Sequence, residues 1–286
     1  MFEALPLWIL NVFLFAFGAA LGSFLNVVIY RLPRAESFVH PPSHCFSCGA
    51  RLGIVDLFPV LSYLFLRGRC RHCGARFSPR YALVEAACGL LAIAAVTAYG
   101  FSLLALALFI VCLCLVAVLF IDLDYMIIPD EFVAIIAVLG LATDAWRLAT
   151  GQGRLLEFAD PMTVGTPDVM RVVLLPSSLV GLLVGAGLLY FLGWVFEKIM
   201  GKPSMGGGDV KLAGAMGTWL GPGVLFLSYF LIAVVAGAVI GVVAMALRAR
   251  GRRDYIPFGP MLAASGIAIL LWGDTIAPWV IGRFTG

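Results

Sequence analysis

The chain has 286 residues, of which 62% are hydrophobic and 12% are charged, with a formal net charge of +3 and a mean hydropathy of +1.05. A soluble globular domain carries roughly 25% charged residues, so this composition excludes an ordinary water-soluble enzyme. Apolar runs of about 20 residues recur along the chain and are long enough to cross a bilayer as helices. The sequence therefore predicts an all-α, polytopic membrane protein embedded in a lipid bilayer, and we expect no nucleic-acid partner.

Residues 1–29 form the first predicted transmembrane helix. This segment contains no basic residue, and the first one in the chain is Arg31. A secretory signal would begin with a positively charged segment, so residues 1–29 are interpreted as a retained membrane span. Arginines become frequent directly after it, which places the N-terminus outside and the following loop in the cytoplasm.

Residues 30–80 form a polar loop that contains two copies of the sequence C-x-x-C-G-A-R. Two thiolates in one tight turn can bind a tetrahedral metal ion, and two such turns complete a four-sulfur zinc site. The alternatives are four unrelated thiols or two disulfides. A reducing cytoplasm disfavours the disulfides. Four protein ligands leave no open coordination position, so a zinc ion here would be structural. The predicted ligands are Cys45, Cys48, Cys70 and Cys73.

Seven further helices are predicted after this loop, giving about eight transmembrane helices in all. Residues 81–286 are accordingly interpreted as one membrane domain, separate from the first span and from the cysteine-bearing loop. A second polar segment, residues 150–174, is predicted to be an external loop whose purpose the sequence leaves open. The predicted helices are 81–99, 102–121, 131–149, 175–197, 209–221, 223–247 and 257–280.

The distribution of basic residues tests this orientation. Fifteen of the 19 lysines and arginines fall in loop 30–80, around the turn at 198–211, and in the cluster at 248–253. The predicted topology places all three segments in the cytoplasm, as the positive-inside rule requires. Because the turn at 198–211 and the cluster at 248–253 are both predicted to be cytoplasmic, the chain must cross the membrane outward and return between them. This leaves 209–220 as a short helix of about 18 Å, either a full crossing or a re-entrant half-helix.

Aspartates at the end of the third predicted span are candidates for chemistry, because ionisable groups inside membrane helices are costly. Asp122 and Asp124 are two residues apart, about 200° around a helix, so they cannot both face one partner. Pro129 disfavours helix at the residue before it, so the span should unwind just after these acids. Asp130 begins the next helix and is expected to be an N-cap.

A second candidate acid, Asp209, follows three consecutive glycines. Glycines break the chain and let backbone approach a ligand closely. Taken alone, Asp209 is equally well explained as the N-cap of the short helix. Together with Asp122 at the same membrane face, an aspartyl pair becomes the better interpretation. Two opposed carboxyls can share one proton, since like charges a few ångströms apart cannot both ionise.

These motifs resemble those of the type IV prepilin peptidases. The sequence ending at Asp209 resembles the GxGD signature of intramembrane aspartyl proteases, and Asp122 followed by Ile-Pro-Asp at 128–130 resembles the first aspartate motif. The sequence GSFLNVVIYRLP at 22–33 and the paired C-x-x-C motifs resemble the N-terminal half of the bacterial, bifunctional branch. The motifs occur in family order and cover most of the chain.

The resemblance implies an enzyme of the bacterial inner membrane that removes the leader peptide from prepilins or pseudopilins and then methylates the new N-terminal amine. It implies that Asp122 and Asp209 are catalytic, that the four cysteines bind zinc, and that S-adenosylmethionine is the methyl donor. No strand–GxGxxG–helix unit is present, so the donor pocket is unknown and is not of the Rossmann type. Asn26, Arg80 and Glu85 are polar groups at the membrane edge, where an Arg80–Glu85 ion pair is as good an explanation as a binding role.

Two alternatives from other classes remain open from the residues alone. An ion-coupled transporter would use Asp122 and Asp209 as relay groups, and the glycine break would fit such a protein. It does not explain the four cysteines. A non-enzymatic assembly factor of a secretion machine is the other alternative, and a cleavage assay on a prepilin distinguishes all three.

Overall fold

The structure is a computed structural model that describes residues 6–53, 55–153, 155–159, 172–201, 205–247 and 257–285. These residues form helices joined by irregular loops, with one two-stranded sheet. The chain divides into two compact units, Met1–Tyr125 and Met126–Gly286. The division into 1–29, 30–80 and 81–286 follows membrane topology, and it stays a prediction.

The first unit is built on three long helices, with the cysteine-bearing loop between the first two. Helix α1 (Leu7–Arg31) packs against α3 (Arg80–Tyr99) and α4 (Leu103–Tyr125). The Asn26 side chain of α1 donates a hydrogen bond to the Tyr81 carbonyl of α3 at 3.1 Å. Helix α4 is the most apolar span and has many buried side chains. The helices of this unit are α1 (Leu7–Arg31, followed by a 3-10 turn at Leu32–Arg34), α2 (Leu61–Phe65), α3 (Arg80–Tyr99) and α4 (Leu103–Tyr125).

The second unit contains the remaining helices and a hairpin that the sequence did not predict. Strands β1 (Leu155–Ala159) and β2 (Val172–Pro176) pair antiparallel, in the segment predicted as an external loop and at the start of the next predicted helix. Residues 154 and 160–171 of that loop lie outside the described residues. The helices are α5 (Asp130–Ala149), α6 (Ser177–Met200), α7 (Gly207–Leu220), α8 (Val224–Ala246) and α9 (Gly259–Thr285, with a kink at Trp272).

The short helix α7 is held by α5 and α6. A methyl group added to Gly181 of α6 would overlap the Gly217 carbonyl of α7, so glycine lets these two helices pack backbone to backbone. The Trp219 indole of α7 donates a hydrogen bond to the Ile136 carbonyl of α5 at 2.8 Å. Within the second unit, α7 is therefore fixed at its C-terminal half by close packing and by a hydrogen bond.

Seven helices among the described residues are long and apolar enough to cross a membrane, which confirms a helical, multi-pass membrane protein. All eight predicted helices are present, with ends that differ by a few residues. The eighth is α7, whose 14 residues extend about 21 Å, less than the roughly 30 Å of a hydrocarbon core. The basic cluster at 248–253 lies outside the described residues.

Candidate functional site

Asp122 lies in the last turn of α4, in the first unit. Its side chain is 5% exposed, and most of the helix around it is apolar. The helix ends three residues later at Tyr125, and Met126 then adopts a left-handed conformation with φ of 55°, so the predicted unwinding after the acids is confirmed. A carboxyl buried at the end of a membrane-spanning helix is costly and is a functional candidate on that ground.

Asp124 has a different environment. Arg80, the first residue of α3, donates to both carboxylate oxygens of Asp124 at 2.7 and 2.6 Å and to the Phe120 carbonyl at 3.0 Å. The alternative of an Arg80–Glu85 pair is therefore wrong. Glu85 instead accepts a hydrogen bond from the Val60 N–H at 2.8 Å. Asp122 is buried whereas Asp124 is ion-paired nearer the surface, so the two acids have different environments and do not face one partner, as their spacing predicts.

Asp209 lies in the first turn of α7, in the second unit. The helix begins at Gly207, and Gly206 occupies the N-cap position with an extended backbone. Asp209 is the third residue of the helix and is partly buried, so the N-cap explanation for this residue is wrong. The first turn of a helix favours negative charge because the helix dipole is positive there. Asp122 and Asp209 belong to different units, and their pairing stays a prediction.

The two motifs of the second unit contact each other. A methyl group added to Gly208 would lie 3.0 Å from Cβ of Ile128, so glycine allows the start of α7 to approach the Ile-Pro-Asp segment. Lys211 of α7 donates to both oxygens of Asp130 at 2.8 and 2.9 Å. Pro129 is the N-cap of α5, so the expectation that Asp130 caps this helix is wrong. Asp130 instead pairs with the helix that carries Asp209.

The four cysteines of loop 30–80 form one cluster. Their Sγ atoms all lie within 4.8 Å of one another, so they could hold a metal ion. Each C-x-x-C-G-A turn has the same two backbone hydrogen bonds. The N–H of the first cysteine donates to the alanine carbonyl, and the glycine N–H donates to the carbonyl of that cysteine. Gly49 and Gly74 have φ of 70° and 71°, a left-handed conformation that glycine adopts without strain. The sequence duplication is thus a structural duplication.

The thiols of this cluster have unequal acidities. Backbone N–H groups of Cys48 and Ser47 stabilise the Cys45 thiolate and lower the pKa of Cys45 to about 6. The Ala75 N–H lowers the pKa of Cys73, but desolvation and the neighbouring thiols outweigh it and raise that pKa to about 11. A divalent ion would neutralise the mutual repulsion of the thiolates and displace their protons.

A cavity of about 480 Å³ lies beside this cluster in the first unit. Its walls come from the C-terminal half of α1, from the cysteine-bearing loop and from the first turns of α3. Asn26 and Glu85 line it, whereas Arg80 does not. Two of the three polar residues noted at the membrane edge therefore share one cavity.

Comparisons with known proteins agree on one family. Residues 16–99 match the bacterial peptidase A24 N-terminal domain, and residues 108–242 match the type IV leader peptidase family. The prepilin leader peptidase/N-methyltransferase of Aeromonas hydrophila is 34% identical over 305 residues, covering 97% of this chain and 96% of that protein. The chain belongs to the type IV leader peptidase family.

Further relatives of this leader peptidase family cover the chain almost as fully. The prepilin leader peptidase/N-methyltransferase of Pseudomonas putida is 36% identical over 281 residues, covering 91% of this chain and 89% of that protein. That of Burkholderia pseudomallei (strain 1026b) is 36% identical over 300 residues, covering 95% and 88%. No solved structure gives a significant match. The resemblance drawn from the motifs is confirmed, and so is the prediction that the chain is an enzyme of this family.

The two family matches divide the candidate residues between them. The leader peptidase match at 108–242 contains Asp122 and Asp209, and the N-terminal match at 16–99 contains the four cysteines and all the residues that line the cavity. The sequence did not single out Asp56, Tyr63 or Phe77, which line the cavity. One available signal was the number of large apolar residues between the two cysteine pairs, which is unusual for a solvated loop.

Proposed function

We propose that the chain cleaves the leader peptide from type IV prepilins or type II secretion pseudopilins and then N-methylates the new N-terminal residue. Cleavage takes place at the cytoplasmic face of the bacterial inner membrane, with the N-terminus of the enzyme outside. The observation that carries the proposal is a buried carboxyl, Asp122, in a membrane helix of a chain whose leader peptidase match also contains the GxGD motif at Asp209.

Peptide hydrolysis by an aspartyl pair needs one ionised and one protonated carboxyl. The ionised member removes a proton from water, whose oxygen attacks the scissile carbonyl carbon, while the protonated member donates its proton to the carbonyl oxygen. When the tetrahedral intermediate collapses, the carbon–nitrogen bond breaks and the first carboxyl returns its proton to the leaving amine. The second carboxyl recovers a proton from the intermediate, so the pair ends in its starting state. Asp122 and Asp209 are proposed for these roles.

The second activity uses the amine that cleavage releases. Its nitrogen attacks the methyl carbon of S-adenosylmethionine, the carbon–sulfur bond breaks, S-adenosylhomocysteine leaves, and a proton passes from the amine to solvent. The names of the curated relatives, which include N-methyltransferase, support this half of the proposal. Prepilins and the methyl donor are both expected to enter from the cytoplasm.

The proposal also assigns a structural zinc ion to the cysteine cluster. A tetrahedral zinc site with Zn–S bonds of about 2.3 Å has sulfur–sulfur distances of about 3.8 Å. The Sγ atoms of Cys45 and Cys73 are 3.8 Å apart, so the donor set fits this ion. When bound, zinc supplies no open coordination position for a reactant and instead holds the two C-x-x-C turns together.

The test is a reconstitution of the purified enzyme with a full-length prepilin, with and without S-adenosylmethionine. Mass spectrometry should show leader loss in both cases and one added methyl group only with the donor. Methylation should require prior cleavage, because the reacting amine is absent before it. A protein that conducts or couples ions across liposomes but leaves the prepilin intact would establish the transporter alternative instead.

A further inference from the structure

We propose that the cavity beside the cysteine cluster is the binding site for the methyl donor. This donor is an adenosyl sulfonium compound that carries a sulfonium, an ammonium and a carboxylate group. This inference rests on the proposed methyltransferase function and adds its location. The volume of about 480 Å³ falls within the range of small-molecule sites, roughly 300–1,000 Å³. The cavity wall includes residues of the motif at 22–33 and of both cysteine motifs, and it includes neither Asp122 nor Asp209.

Two largely buried carboxylates face this cavity. Glu85 is 9% exposed and uses Oε2 to accept the Val60 N–H. The Asp56 side chain is 11% exposed, and its Oδ2 accepts the Gly53 N–H at 3.1 Å. Its Oδ1 lies 3.1 Å from Nε of Arg71 but accepts no hydrogen bond within the described part of the chain. Oδ1 therefore has a charge partner in Arg71 but no well-directed hydrogen bond, and it can accept one from a ribose hydroxyl or an ammonium group of a ligand.

Aromatic rings supply a surface for a purine base. Phe46, Tyr63 and Phe77 all line the cavity. Phe46 contacts Tyr30 with ring centroids 5.3 Å apart, and the guanidinium of Arg34 lies 3.7 Å from the centroid of the Tyr30 ring. Planar bases stack on such rings, and the π face of an aromatic ring also attracts a sulfonium cation. The cavity therefore combines groups that match the base, the hydroxyls and the cation of one ligand.

The charge of the walls distinguishes this ligand from the leader peptide. The carboxylates on the cavity wall are equal in number to its arginines, so the wall has no excess of negative charge to attract a basic leader. A methyl donor carries a carboxylate, an ammonium and a sulfonium, and needs both signs of charge within one site. The charged lining residues are Arg31, Glu36, Asp56, Arg69, Arg71 and Glu85.

The cysteine turns form part of the cavity itself. Phe46 lies between Cys45 and Cys48, and His72 lies in the second turn between Cys70 and Cys73. Both residues are on the cavity wall. An ion that fixes the two turns also fixes these side chains, so the cluster would determine the shape of the donor site without touching the donor. This gives the structural metal a specific role in methylation.

The test is equilibrium binding of radiolabelled S-adenosylmethionine to the detergent-solubilised full chain, without prepilin. Glu85→Gln and Asp56→Asn should each weaken binding by about tenfold or more, because each removes a charged partner of the ligand. Glu197→Gln, an exposed acid of α6 outside the cavity, is the matched control and should bind like wild type. Zinc content and leader cleavage of each variant serve to show that it is folded.

Photocrosslinking of wild type provides a second measurement that does not depend on a variant's folding. Irradiation with the labelled donor should attach label to peptides within residues 41–85. Wild-type binding together with unchanged affinity in both carboxylate variants, or label found only elsewhere, would overturn the cavity assignment and leave the proposed function intact. A wild-type chain that binds no donor would overturn the methyltransferase function as well. Displacement of the donor by a synthetic leader peptide, with that peptide crosslinked to the same residues, would assign the cavity to the leader instead.

Discussion

Arg80 and Asp124 form an ion pair in which one guanidinium nitrogen of Arg80 donates to both carboxylate oxygens of Asp124, at 2.7 and 2.6 Å. The other terminal nitrogen of Arg80 bonds the Phe120 carbonyl at 3.0 Å, so Arg80 links the start of α3 to the end of α4. Asp124 is thus occupied by a partner, while Asp122, two residues earlier, is buried. The structure therefore places the two acids in different environments, an exposed ion pair for Asp124 and burial for Asp122.

The first prediction follows from this separation. Asp124→Asn should retain most leader cleavage, because it removes only a pair whose side chains are 32% and 38% exposed. Asp130→Asn should behave in the same way, since its pair with Lys211 is still more exposed. Exposed pairs contribute about 0–1 kcal/mol to the free energy of unfolding. Initial rates of cleavage and thermal unfolding in detergent check both variants, and loss of cleavage in a folded Asp124→Asn enzyme would show that this acid takes part in the chemistry.

The second prediction concerns the approach of α7 to Ile128. Gly208→Ala should reduce cleavage by about tenfold or more, because the new methyl group meets Ile128 at 3.0 Å and displaces the turn that carries Asp209. Gly207→Ala is the matched control, since a methyl group there meets nothing within 4 Å. Cleavage rates at saturating substrate distinguish the two variants. Equal rates would mean that the position of this turn is not critical.

The third prediction concerns the metal. The purified protein should contain about one zinc ion per chain, and Cys45→Ser or Cys73→Ser should lower that content. Cys88→Ser is the matched control, because Cys88 is a buried thiol of α3 outside the cluster. Elemental analysis of the three variants measures the effect. A disulfide within the cluster, found by mass spectrometry without reductant, would contradict both the metal and the cytoplasmic location of the loop.

The fourth prediction is that the cysteine-bearing loop matters more for methylation than for cleavage. Removing zinc with a chelator should reduce methyl transfer far more than leader release, because the loop forms walls of the proposed donor site whereas packed membrane helices carry the aspartates. Both products can be quantified on the same prepilin, and restored zinc should restore methylation. Parallel loss of the two activities would indicate that the loop supports the whole enzyme or binds the leader.

The sequence predicted the helices well because membrane spans are marked by a change in composition that needs no tertiary information. It also predicted the duplicated cysteine turns, whose hydrogen bonds are local. The hairpin was missed because β1 and most of β2 were assigned to a long polar loop, and the end of β2 to the helix that follows.

Long-range partners were harder to predict. The true partner of Arg80, Asp124, is 44 residues away, whereas Glu85 is merely close in sequence. Glu85 is also five residues from Arg80, which is outside the three- or four-residue spacing that brings side chains together on a helix. The cavity joins residues from Ser23 to Glu85 that share no periodic pattern. Only the packing of α1, the loop and α3 brings them together.

The central claim is that Asp122 and Asp209 form the catalytic pair, and asparagine substitution tests it most directly. Asp122→Asn and Asp209→Asn change one atom of each side chain, so both proteins should fold, contain zinc and bind the methyl donor like wild type. With a prepilin in detergent or liposomes, leader cleavage should fall by at least about a thousandfold in each, and no more in the double variant, because residues acting as one unit are not additive. Cleavage by either single variant at a rate close to that of wild type would contradict the account.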